Sequence, residues 1–589
     1  MKEDLSTSVD DLVSWFMMNR EFIDKDFIFF IHKKIPLNQM KKLFLSLQIW
    51  FEGFMERNVT LATFLLTIAS IYFLDLFFFH FSNMLNLGES DFILTFLQSG
   101  GVDYAPEVWL GLLSLVLGTL IIVISIASQS TPKLIDLYIS DKKSLFYIWF
   151  LTIGSAHNIM LQLFFTSSCV RYSSTILNTY LLMPVAVLLA IPYIIYILKY
   201  TKPSNVIDKI FFNNVLLIGR IEKMSKFPDF YSADMMDGFK YRLFETLNQL
   251  DDLLEYVSFK EPKADIINNI SRSVQQYLVI KNRLPEKFFR ISDCIRSDIS
   301  FKTMSTQLEE IERTKVFYEQ KAFRLMGNAY FKLIENNDFD LASLCVFEMS
   351  QCAKVAIDTG DEATIGVLIV RFNTVLRFGI KHGLKNSEVR NLYNSLFHYS
   401  EFINYQVEKK QVKFIKTSCN YLKIYGTEIY KHSRQNSSFS FLVDVFAYEL
   451  KKILIRLNEL EYAPEFQHDI LGLFLEMDNP PDVDRDDLGQ WRIMNDGVRV
   501  LQVGLALYYL THKKENMVQR IIDDIMEDYS VLKDKFIIAI ESTCNKLRIY
   551  GPTFWEDTDR GNTNIYFSEH KDQIDRFLEM FHNKFSHNK

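Results

Sequence analysis

The sequence predicts an all-α protein: four transmembrane helices followed by a large cytoplasmic α-helical domain, a bundle or a solenoid. Three observations carry that prediction. Apolar runs, each near the ~20 residues that cross a ~30 Å hydrocarbon core, concentrate before residue 200. Beyond about Thr201, charged and apolar residues alternate at helical spacing. No part of the 589 residues reads as a β-rich domain. The chain thus divides into an N-terminal segment (1–58), a membrane domain (59–200) and a helical domain (201–589).

The N-terminal segment begins MKEDLSTSVDD. That start is acidic, whereas a cleaved secretory signal begins basic and runs straight into an apolar core. Orientation is therefore read from the loops. Asn38–Arg57 (NQMKKLFLSLQIWFEGFMER) places apolar residues at helical spacing beside Lys41, Lys42 and Arg57. Two readings fit it: an amphipathic helix at the membrane surface, or an ordinary helix packed on the soluble domain.

The spans run from about Val59 to Phe81, Val108 to Ala127, Leu145 to Phe165 and Ile176 to Leu198. The Ser82–Pro106 loop carries Glu89, Asp91 and Asp103 and no Lys or Arg. The Ser128–Ser144 loop carries Lys133, Lys142 and Lys143, and further lysines flank the first and fourth spans. The positive-inside rule places both termini and the middle loop in the cytoplasm.

In the helical domain, breaks fall at Asn336-Asn337-Asp338, Gly360-Asp361, Gly383, Arg434–Ser438 and Asn479-Pro480-Pro481. Between them lie helices of about 15 to 25 residues, as in a bundle or solenoid. Ala329-Tyr330-Phe331 and Leu341-Ala342 suggest helix-pair units, without the regular spacing of a named repeat.

Composition limits the function classes. Phe is abundant (51), the hydrophobic fraction is 49% and mean hydropathy is +0.03, an excess concentrated in the spans. A net charge of −7 gives no nucleic-acid footprint, so no nucleic-acid partner is expected. The six cysteines are scattered without metal-ligand spacing, and five follow residue 200, which fits a reducing cytoplasm. No catalytic or nucleotide-binding motif occurs. The expectation is a protein that is not an enzyme and needs no cofactor.

Polar residues within apolar spans are the candidate functional residues, because hydrocarbon leaves them without partners. In the second span Gly111, Ser114, Gly118, Ser125 and Gln129 share one helical face. Such a stripe either lets helices approach closely or forms a wall facing water. The third span carries Ser155, His157, Asn158 and Gln162, with Ser155, Asn158 and Gln162 on one face. His157 is a gating candidate, since imidazole titrates near ~6.5; the alternative is a cross-helix hydrogen bond. Pro184 and Pro192 are the other gating candidates, as each removes a helical hydrogen bond from the fourth span. A static kink is the simpler outcome. Asp75 lies toward the outer end of the first span, as a cation-attracting mouth or a carboxylate reaching the interface.

Two polar runs in the helical domain also stand out. Asp482–Asp487 starts like a calcium loop, but Asp487 and Ile493 occupy the positions that need Gly and Glu, so it reads as an inter-helix turn. Trp555–Asn562 follows Gly551-Pro552 and reads as a loop, either solvated or docking on a ligand or neighbouring subunit.

Residues 127–142 read ASQSTPKLIDLYISDK. Ala127, Ser128, Gln129, Thr131, Pro132, Lys133, Tyr138, Asp141 and Lys142 resemble the loop after the second span in a family of bacterial predicted membrane proteins of unknown function. The similarity covers roughly residues 60 to 200. That family's Ser-Pro-Gly-x-Asn-Asp-Pro segment is missing from the helical domain. The resemblance implies a bacterial inner membrane and brings no activity. Physically, Pro132 ends the second helix, Lys133 and Lys142 can contact lipid phosphates, and Asp141 can cap the third helix.

Together these features lead to the expectation of a homo-oligomeric channel or pore-like protein in the lipid bilayer, assembled or gated by its helical domain. The alternative is a membrane-anchored sensor or scaffold, including a stress or phage-defence effector. Its helical domain would bind a protein partner or small ligand.

Overall fold

The computed structural model describes residues 59–84, 104–130, 142–166, 172–200, 202–226, 233–433, 437–479, 496–532, 535–558 and 561–588. Asn38–Arg57, Pro132, Lys133, Asp141 and Asp482–Asp487 lie outside them, as do the side chains of Gln129 and Lys142. The described chain divides into two compact units, the first ending at Lys199 and the second continuing from Tyr200.

Among the described residues, the first unit is four apolar helices. They are α1 (Val59–Met84), α2 (Ala105–Ser130), α3 (Lys142–Thr166) and α4 (172–200). Stretches of α2, α3 and α4 (Ala105–Val123, Lys143–Phe164, Ser174–Lys199) are long and apolar enough to cross a membrane. In α1 the stretch Leu66–Phe81 is apolar but shorter. Tyr72, Phe73, Ile121, Ile122, Phe146, Leu188 and Ile191 are all more than 60% exposed. Water-soluble domains rarely leave so dense an apolar surface uncovered.

Neither Pro184 nor Pro192 breaks α4. The segment Tyr172–Ile176 passes through a π-helical turn, Leu177–Leu182, into Met183–Tyr200. In that turn Met183 N–H bonds to Asn178 O, five residues back. The wider turn lies directly before Pro184, where an α-helical bond is missing anyway.

The second unit is a two-row solenoid. One row is α5 (Pro203–Lys226), α7 (Lys260–Lys281), α9 (Phe339–Asp358), α11 (Arg390–Glu408), α13 (Ser437–Glu459) and α15 (Asp496–Thr511). The other is α6 (Ala233–Tyr256), α8 (Phe317–Glu335), α10 (Glu362–Asn386), α12 (Val412–His432), α14 (Pro464–Leu475) and α16 (Glu515–Glu527). Each helix packs on its neighbours along its own row and across to the other row. Burial of one stripe per helix on both neighbours closes a continuous core without distant contacts. Helix α10 also meets the length and hydropathy condition for a span. It is, however, more than half buried in the array, carries Arg371, Arg377, Lys381 and Lys385, and hydrogen-bonds to α8 through Arg371 and Gln320.

The turns explain the regularity. Gly360, Lys410, Glu461 and Lys513 have positive φ and recur at intervals of 50, 51 and 52 residues. After each, an N–H reaches back to a carbonyl five residues earlier: Asp361 to Ala356, Gln411 to Gln406, Tyr462 to Leu457, Lys514 to Tyr509. This left-handed closure caps the outgoing helix and reverses the chain. The helix-pair period is therefore about fifty residues.

The array ends in α17 (Phe536–Ile549), an antiparallel hairpin of β1 (Thr553–Thr558) and β2 (Gly561–Thr563), and α18 (Ile574–Asn588). The Trp555–Asn562 stretch is thus a β-hairpin rather than a loop. Its two short strands, Thr553–Thr558 and Gly561–Thr563, pair antiparallel with each other.

Candidate functional site

One polar chain runs through the interior of the apolar unit and touches all four of its helices. On α2, the buried Trp109 donates its indole N–H to Asn178 Oδ1 on α4, at 3.0 Å. Asn178 Nδ2 donates to Gly154 O (3.3 Å) and faces His157 Nδ1 (2.9 Å), both on α3. His157 Nε2 lies 3.8 Å from Asp75 Oδ1 on α1. Ser174 Oγ, on α4, donates to the same Asp75 oxygen at 3.0 Å. Trp109, His157 and Asn178 are 0% exposed, and Asp75 is 4% exposed. Phe78 places its ring edge-to-face on the imidazole, 5.8 Å between centroids.

Local sequence makes this meeting possible. Gly154 gives α3 a flat patch on which the Trp109 indole lies; a Cβ there would come within 2.4 Å of the ring. The π-helical turn holds Asn178 and Thr179 buried, at the kind of irregularity that often marks functional sites.

The hydrogen-bond polarity is fixed by chemistry. An indole N–H only donates, so the atom facing Trp109 is the amide oxygen. A backbone carbonyl only accepts, so the atom facing Gly154 O is the amide nitrogen. That nitrogen also faces His157 Nδ1, which must therefore accept. In that arrangement the ring proton sits on Nε2, 3.8 Å from the Asp75 carboxylate and beyond hydrogen-bond distance of it. Ser174 donates to the carboxylate. An imidazole beside a carboxylate can bind or pass a proton.

Several expected residues lie elsewhere. Asp75 is not an exposed mouth, because α3 and α4 cover it and supply its partners. Ser155 and Asn158 are buried beside His157 on α3, but Gln162 is exposed and leaves their face. On α2 the buried side is Ala105, Trp109, Val116 and Val123. At 100° per residue the stripe of Gly111, Ser114, Gly118 and Ser125 points the opposite way. Gly111, Ser114 and Ser125 are exposed, and a Cβ on Gly111 or Gly118 would meet nothing within 4 Å. Among the described residues, neither glycine of the stripe packs against another helix. Pro184 and Pro192 are likewise exposed on α4. Trp109, Ser174 and Asn178 were not among the expected site residues. Asn178 carries the usable signal, an amide in an apolar run.

Buried charge in the solenoid has a structural role. Lys281 Nζ lies 2.5 Å from both Glu319 and Asp361, tying α7 to α8 and to the turn before α10. Burial works to lower the Lys281 pKa, but the two carboxylates outweigh it and raise it. Arg499 bridges Asp478, Asp524 and Asp528. Burial, and then the neighbouring Asp478, push the Asp524 carboxyl up to about 7 despite the guanidinium.

No family model, curated protein or solved structure matches the chain.

Proposed function

We propose that the chain is an integral membrane protein that assembles with copies of itself into a channel- or pore-like conduit. The second helix lines or borders the path, and the solenoid, on the cytoplasmic side, drives assembly or gating. The observation that carries this is the outward stripe on α2. The chain gathers Asp75, His157, Ser174 and Asn178 into an internal network yet turns Gly111, Ser114, Gly118 and Ser125 away from its own core. Copies of that face meeting around an axis would give it small side chains to pack against and hydroxyls toward water. The lysines of the Ser128–Ser144 loop support cytoplasmic termini, and the loop's resemblance to bacterial membrane proteins supports an inner membrane.

The solenoid favours a second reading, a membrane-tethered sensor or scaffold, since such arrays present extended surfaces to partners. The cleft of about 550 Å³ bordered by Lys354, Glu401, Tyr405, Lys452 and Arg456 is such a surface. Ion flux from liposomes carrying the purified chain, with oligomeric state read by native mass spectrometry, separates the two. Flux from an oligomer supports the conduit. An assembled but silent protein, under voltage, tension and pH steps, favours the tether.

A further inference from the structure

We propose that His157 is a proton-binding site and that α2 reads out its protonation through Asn178 and Trp109. The argument is one of donors and acceptors. Neutral His157 carries its proton on Nε2, facing Asp75, and accepts from Asn178 at Nδ1. A proton arriving from water therefore adds to Nδ1, and the product is an imidazolium with two N–H donors. Its Nδ1–H would then face the amide N–H of Asn178 across 2.9 Å, donor against donor.

The amide can escape by turning over and offering its oxygen. That rotation sets its NH₂ against the Trp109 indole N–H and its oxygen against the Gly154 carbonyl, both mismatched. No orientation of Asn178 satisfies Trp109, Gly154 and a protonated His157 together. Proton uptake must loosen either the His157–Asn178 contact or the bond that ties Trp109, and with it α2, to the bundle. In a buried site each such loss is substantial.

Groups from the other helices face the ring. From α1, Asp75 faces Nε2 at 3.8 Å, and Phe78 presents its ring. From α4, Ser174 steadies Asp75 and Asn178 faces Nδ1. From α2, Trp109 acts through Asn178. A carboxylate 3.8 Å from one ring nitrogen, and at the other an amide held as a donor by Trp109 and Gly154, make a site that takes a proton and transmits the change. The effect on flux rests on the conduit reading; the proton site does not.

The test uses the full chain in lipid nanodiscs, labelled with ¹⁵N at histidine and tryptophan, with His157→Gln and Trp109→Phe assigning the signals. The expected result at high pH is an unprotonated His157 Nδ1. On acidification both ring nitrogens become protonated, and the Trp109 indole N–H signal moves with the same midpoint. That indole movement vanishes in His157→Gln. In Trp109→Phe the amide can turn over at the expense of the Gly154 contact alone, so the His157 midpoint moves upward by roughly half a unit to one unit. The proposal is overturned if Nδ1 is protonated at high pH, or if His157 stays neutral down to acid unfolding. It is also overturned if Asp75 takes the proton instead, or if the indole signal ignores the titration or still moves in His157→Gln. A silent parent in the flux assay would remove the conduit while these signals still decide the proton site.

Discussion

The indole of Trp109 lies so close on Gly154 that a Cβ added to the glycine would fall 2.4 Å from the ring. This contact sets how α2 rotates against α3, and so places Asn178 between Trp109 and His157. Gly154→Ala should displace the indole and break its bond to Asn178, with a loss of about 1–3 kcal/mol as in other overpacked cores. Gly118→Ala meets open space within the protomer and should leave protomer unfolding unchanged. Any effect of it should appear in the oligomer distribution. Thermal unfolding in detergent beside native mass spectrometry checks both, and equal protomer losses would contradict the packing described.

The turns give a second test. Lys410, Glu461 and Lys513 hold positive φ that glycine adopts freely and other residues adopt at a cost. Replacing each by Gly should raise solenoid stability by a few tenths to about 1 kcal/mol. Gly360→Ala should lower it by about 1 kcal/mol. Urea midpoints of residues 202–589 expressed alone measure these changes, and stabilisation by Gly360→Ala would refute the turn assignment.

The same turns mark how far the sequence could be read. Those at Asn337 and Gly360 are legible because Asn and Gly advertise a left-handed residue. Lys410, Glu461 and Lys513 adopt that conformation without the residue that announces it, which hides the fifty-residue period. The apolar helices are legible from composition, and so is the oddity of Asp75, His157, Asn158 and Ser155 within them. That Asp75 meets His157 is not legible, because it depends on helix rotation set by Trp109 on Gly154 and on a π-helical turn. The hairpin escapes notice because its strands are too short to show alternation.

Asp444 makes solenoid stability depend on pH. Burial raises its carboxyl to about 7, against the opposing hydrogen bond from Tyr566 at 2.6 Å. The folded state holds that proton more tightly than the unfolded chain. Its contribution is complete below about pH 4 and is lost as pH rises through about 7. Asp444→Asn should flatten that decline and stabilise the protein above pH 7 by on the order of 2–4 kcal/mol. Unchanged pH dependence in urea unfolding would count against a buried carboxyl there.

Lys451 works in the opposite direction. Burial lowers its ammonium to about 8. The folded state gives up the proton more readily, so the unfavourable contribution is largest below about pH 8 and fades toward pH 10. Lys451→Met should stabilise the solenoid at pH 7 by up to about 3 kcal/mol, with the gain shrinking as pH rises. Destabilisation at pH 7 would show that the ammonium has a compensating partner.

The conduit itself is tested most directly at Ser125, exposed on the outward face of α2. Ion flux from liposomes, or single-channel current, is compared for the parent, Ser125→Leu and Ser125→Ala, with the oligomer verified for each. The account predicts conductance from the parent and near-parental conductance from Ser125→Ala. It predicts a ten-fold or greater loss in Ser125→Leu, since bulky apolar side chains dry a narrow path. Parental conductance in an intact Ser125→Leu oligomer would contradict the assignment of α2 as the lining helix.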